Sequence, residues 1–116
     1  MLFCVLCIDR PGSAALRAAT RAEHLEYMIA ARGALRYGGP LTSDDGTLSL
    51  GSVFVIDLPD RRAVDAFLAA EPYCVARLFQ SVSVLAMRQM VPEAVPGFLD
   101  RELSRERAAS AEHAKR

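Results

Sequence analysis

The sequence predicts an α+β fold, a ferredoxin-like βαββαβ plan with a four-stranded antiparallel sheet and a C-terminal helical extension. Three observations predict it. Local signals alternate as strand, helix, strand, strand, helix, strand, which is the split βαβ order. Two of the strands contain continuous apolar runs, "LFCVLCI" at 2–8 and "VFVI" at 53–56, both short and β-leaning. The chain has 116 residues, 52% hydrophobic and 24% charged, a balance that suits one domain with a real core.

Asp9, Arg10, Pro11 and Gly12 stop the first strand. Ser13 is placed to cap a helix running to about Arg32. Gly33 is placed to end it in the left-handed conformation that glycine accepts. "ALRYGGPL" (34–41) is a second, weaker strand interrupted by Gly38, Gly39 and Pro40, and "TSDDGT" (42–47) is turn chemistry throughout. The third strand covers 48–58. Pro59 and Asp60 then open a second helix, with Asp60 as N-cap and Val64, Phe67 and Leu68 at helical spacing. Glu71-Pro72-Tyr73 ends that helix and starts a short further turn, because proline suits a first helical position and biases its predecessor toward extended backbone. The fourth strand is "SVSVLAMRQM" (81–90). Residues 1–91 read as one domain. Residues 92–116 read as a charged, alanine-rich helical tail with Phe98, Leu99 and Leu103 as its few apolar anchors and His113 solvated within it.

Charge disfavours several functions. Lys plus Arg and Asp plus Glu cancel at 14 each, so nothing electrostatic calls for nucleic acid. No apolar run approaches the ~20 residues of a membrane span. The opening "MLFCVLCIDR" lacks a basic leader and a small-residue cleavage site, so a cytoplasmic location is expected. Cys4, Cys7 and Cys74 make no disulfide framework. Cys4-x-x-Cys7 spells a redox motif, but on a strand residues three apart point to opposite faces, so buried thiols are the better reading. No His, Cys or carboxylate set has metal-ligand spacing, and no metal is expected. Because helices cover one face of such a sheet and two of its strands are apolar on both, the second face also needs a cover. A second copy of the sheet is the simplest one, so a homodimer is expected.

The residue that raises the question of chemistry is His24, in "RAEHLEYM" (21–28). On a helical projection Ala18, Ala22, Leu25 and Ile29 cluster as the expected core stripe. His24 lies on one flank of it with Arg17, Arg21 and Met28, while Glu23 and Glu26 project to solvent. A neutral imidazole beside two arginines can act as a general base, and the arginines can hold an acidic or phenolate-like ligand. The bland alternative is a boundary histidine satisfied by water or a carbonyl.

Several short stretches together resemble the YciI-like (YCII-related) family of the dimeric α+β barrel type. They are Arg21-x-x-His24-Leu25, Gly33 followed by Gly39-Pro40, Gly51-Ser52, and Glu71-Pro72-Tyr73, with Asp9 and Pro11-Gly12 after the first strand. The resemblance covers about residues 1–90. It implies an active pair made of His24 and the carboxylate before Pro72, where this chain carries Glu71 in place of the usual aspartate, one methylene longer. Asp9 is an alternative partner. It also implies a cleft between sheet and first helix, lined by Gly39, Pro40 and Ser52, with Arg21 holding an anionic group and the Tyr73 hydroxyl at its edge. Glycine lets backbone approach a ligand closely.

Two functions follow as expectations. One is a cofactor-independent lyase or isomerase in which His24 moves a proton on a small, acidic or aromatic molecule, with Glu71 orienting the imidazole. The other is a non-catalytic, small-ligand-binding or regulatory dimeric module. The Asp-to-Glu change and the added tail favour the second reading slightly.

Overall fold

The computed structural model describes residues 1–114. The elements are β1 (Leu2–Asp9), α1 (Ala14–Ala31), β2 (Leu35–Thr42), β3 (Ser49–Asp57), α2 (Arg61–Ala70), α3 (Pro72–Val75), β4 (Phe79–Met87) and α4 (Phe98–Ala114). The four strands form one antiparallel sheet in the order β2-β3-β1-β4. This is the ferredoxin-like α+β fold that the element order predicts.

Strand boundaries shift by a few residues from the sequence reading. β4 starts two residues earlier and ends three earlier than expected, and β2 runs unbroken through Gly38, Gly39 and Pro40. Pro40 is tolerated because β2 is an edge strand. Gly38 lies opposite Phe54, and a side chain there would strike the Phe54 Cβ. Gly51 lies opposite Ile8, and a Cβ there would drive into the Cys7 carbonyl. Both glycines are required by close strand approach, not by backbone conformation.

The helix ends correct two details. Ser13 occupies the N-cap of α1 without capping it, since its hydroxyl donates to the Arg10 carbonyl at 2.6 Å. Gly33 follows the helix without a left-handed conformation, which among the glycines is found at Gly12, Gly46 and Gly97. Asp60 caps α2 as expected, accepting from the Ala63 amide at 2.9 Å.

The core lies between the sheet and its helices. Phe3, Val5 and Cys7 of β1 pair with Ile56, Phe54 and Ser52 of β3, so all six project from one face. Val64 closes over this face from α2, with Phe67 and Leu68 packed alongside. Cys4 is on the opposite face from Cys7, and neither forms a disulfide. That opposite face carries Leu6, Ile8, Leu85 and Met87, all exposed, with Leu85 at 69%.

α1 departs from the expected rotation. Ala18, Ala22, Leu25 and Ile29 are exposed, Ile29 at 57%. The inward residues are instead Arg17, Thr20, His24, Tyr27 and Met28. This polar face is accommodated because each polar group has a partner: Thr20 donates to the Leu16 carbonyl at 2.8 Å and Tyr27 to the Phe67 carbonyl at 2.8 Å. Beyond β4, α4 is largely exposed, and its first turn is tied to the preceding segment by the Leu99 amide donating to Glu93.

Candidate functional site

The polar face of α1 meets the N-terminus of α3. Glu71 ends α2, and its extended backbone is set by Pro72 behind it. Its carboxylate is 2% exposed and uses both oxygens. Oε2 accepts from the Cys74 amide at 3.1 Å, capping α3, while Oε1 lies 2.6 Å from His24 Nδ1. A carboxylate can only accept, so the proton between them belongs to Nδ1. Nε2 is then the ring nitrogen left for other work, and it has no hydrogen bond to a described residue. Burial pushes the Glu71 carboxyl up, but the His24 hydrogen bond and the Tyr73 and Cys74 amides outweigh it and hold it below its ordinary value.

Tyr73 fixes the plane of the imidazole. Its ring is buried and stacks on His24 with centroids 4.0 Å apart at 16°. The Arg17 guanidinium lies 4.8 Å from the centre of the same ring. Arg17 is held in turn by Asp9, with Nε and Nη2 donating to its two oxygens at 2.8 and 2.9 Å, and Nη2 also donates to Ser52 Oγ at 3.0 Å. Those Asp9 hydrogen bonds raise the Arg17 pKa despite its burial, so it stays charged. The result is a layered wall of Asp9 from β1, Arg17 and His24 from α1, Tyr73 from α3 and Ser52 from β3.

This wall closes one end of a cavity of about 580 Å³ between α1 and the β2–β3 side of the sheet, a size suited to a small molecule. Of the expected site residues, Arg21, His24, Gly39, Pro40, Ser52 and Tyr73 line it. Glu71 stands behind His24. Asp9 stands behind Arg17 and neither lines the cavity nor bonds to His24. Sequence reasoning put Arg17 on the flank of His24, seven residues before it, as a ligand-holding arginine; the structure commits it instead to Asp9 and Ser52. Arg32, Arg36 and Phe54 also line the cavity, and no sequence signal marked them.

Two neighbouring thiols are unsuited to nucleophilic work. Burial, reinforced by the Glu71 charge, pushes both Cys7 and Cys74 up to about 12. Among the described residues no cluster of His, Cys, Asp or Glu could hold a metal ion.

The YCII-related domain model matches residues 1–88. The chain belongs to the YCII-related domain family. The matched region ends at β4, so the YCII-related domain contains the whole wall and cavity, and α4 lies outside it. Among solved structures the domain is similar to 5-chloro-2-hydroxyhydroquinone dehydrochlorinase from Burkholderia phenoliruptrix, solved in complex with 2,5-dihydroxybenzoquinone. The identity is 29% and the TM-score 0.72, over 77% of this chain and 95% of that one. It also shares its fold with SnoaB, a cofactor-independent oxygenase from Streptomyces nogalater, at 18% identity and a TM-score of 0.50, over 79% of this chain and 96% of the other. No curated protein matches the chain.

Proposed function

We propose that this YCII-related protein is a lyase or isomerase acting on a small acidic or aromatic molecule without a cofactor, with His24 as the proton-transfer residue and Glu71 as the carboxylate that positions it. The 2.6 Å contact between His24 Nδ1 and Glu71 carries this reading. A buried carboxylate fixing one tautomer leaves Nε2 as a base aimed at whatever occupies the cavity, and an acid after it has taken a proton. Arg21 supplies charge for an anionic or phenolate group, and Ser52, accepting from Arg17, keeps its own proton free to donate to ligand. The 29% identical dehydrochlorinase makes a chlorinated hydroxyhydroquinone the first substrate to assay.

Nitrogen-15 NMR of His24 above pH 8 tests the pair. The wild type is expected to show one tautomer, protonated at Nδ1, and Glu71→Gln a mixture. A mixed tautomer in the wild type would remove the basis for a positioned base.

The same reading includes a homodimer, with residues 1–91 as the domain, 92–116 as an appended tail, and a cytoplasmic setting that keeps its three thiols free. The exposed face of Leu6, Ile8, Leu85 and Met87 supports the dimer, because contiguous apolar surface of this kind favours association. Light scattering at micromolar concentration is expected to report a dimer, and Leu85→Asp a folded monomer. A monomeric wild type would overturn this part.

A further inference from the structure

We propose that the end of the cavity remote from Tyr73 is an anion subsite centred on Arg32, so that the natural ligand is an elongated acid. Its reacting group lies at His24, its middle is apolar, and its terminal oxyanion is held by Arg32, with Arg36 beside it. This rests on the reading of His24 as the reacting centre.

The charge of the cavity lining is one-sided. Arg17, Arg21, Arg32 and Arg36 line it and no Asp or Glu does, although the chain as a whole is neutral. Arg17 is committed to Asp9. Arg21 and Arg32 form no ion pair with a described residue. Arg21 is one turn before His24 on α1. Arg32 is eight residues after it, about 12 Å along the helix axis. Between them Leu25 and Met28 line the cavity from α1, with Phe54 and Leu35 from the sheet, so the span joining the two ends is apolar.

Arg36 reaches this end through a local irregularity. Leu35 pairs with Ile56 and Tyr37 with the next residue, Val55, so Arg36 is the extra residue of a β-bulge. Bulges re-aim side chains beside functional sites. The Arg36 guanidinium donates to the Gly33 carbonyl at 2.9 Å and to Asp57 at 3.0 Å. The Gly33 carbonyl, just past the end of α1, would by itself repel an anion, but Arg36 donates to it and is in turn neutralised by Asp57. Arg32 remains as the uncompensated charge. A planar guanidinium is suited to a carboxylate or phosphate, whose oxygens it can bind in pairs.

The test is calorimetric titration with 4-hydroxyphenyl alkanoates of increasing chain length, p-cresol as the ring without an acid, and the matching alkyl phosphates. His24 is followed by NMR. The wild type is expected to prefer chains that place the oxyanion about 12 Å from the ring by about tenfold over the shortest. Arg32→Gln, at an exposed position, is expected to erase that preference. Whether carboxylates or phosphates show it identifies the group. Binding of p-cresol with no chain-length preference, or a preference unchanged in Arg32→Gln, overturns the subsite and leaves His24 standing. A preference erased by Arg32→Gln while the His24 signals stay unmoved upholds the subsite and overturns the role of His24. No binding by any compound, p-cresol included, overturns both.

Discussion

Glu71→Ala is expected to destabilise the protein by about 3 kcal/mol, since removing one member of a buried pair strands its partners. That corresponds to a fall in melting temperature of roughly 10–15 °C for a domain of this size. The wild-type carboxylate satisfies two groups at once, His24 Nδ1 and the Cys74 amide. The alanine leaves both without a partner at a site only 2% exposed. Glu71→Gln retains the volume and an acceptor for Cys74, so its loss is expected to be smaller, about 1 kcal/mol. The two variants also differ from wild type in acid. Because the folded Glu71 carboxyl sits below its ordinary 4.5, its contribution is complete above that pH and is lost as pH falls through the lower folded value. Melting curves between pH 3 and 7 should show this acid limb in the wild type and its absence in Glu71→Gln. A Glu71→Ala protein within 1 kcal/mol of wild type in urea would show that the buried pair is not structural.

The second large effect concerns rate. His24→Gln is expected to lower kcat by 10²–10⁴ on any aromatic substrate the wild type turns over, with KM changing little. Glutamine can still donate an amide proton toward Glu71 and keeps a polar group at the cavity, so binding and stacking room survive. It cannot accept and return a proton at neutral pH. Steady-state kinetics separate the two parameters: a fall confined to KM would make His24 a binding residue, and an unchanged kcat would exclude it from proton transfer.

The pairing of Glu71 with His24 was legible before the fold, because Glu71-Pro72-Tyr73 resembles a family motif and an acidic residue before proline is held extended at a helix start. Its extra methylene does not prevent contact with His24, since one oxygen reaches the ring while the other caps α3. Asp9 stood as an alternative partner on the same evidence. Only the folded chain separates them, by placing Arg17 between Asp9 and the rest of the wall.

The sequence by itself determined the order of the elements, the antiparallel plan, the two-faced apolar strands and the residues of the family motif. These depend on local periodicity and on turn and cap chemistry, which adjacent residues encode. The tertiary structure alone decided how α1 is rotated and what its inward face does. Hydrophobic periodicity selected Ala18, Ala22, Leu25 and Ile29, yet the helix turns Arg17, Thr20, His24 and Tyr27 inward. The reason is that a polar face can be buried when its hydrogen bonds are met, and most of the groups meeting them come from other elements: Asp9 of β1 for Arg17, Glu71 for His24 and the Phe67 carbonyl for Tyr27. The bulge that aims Arg36 into the cavity is likewise a matter of register between β2 and β3, which no single segment specifies.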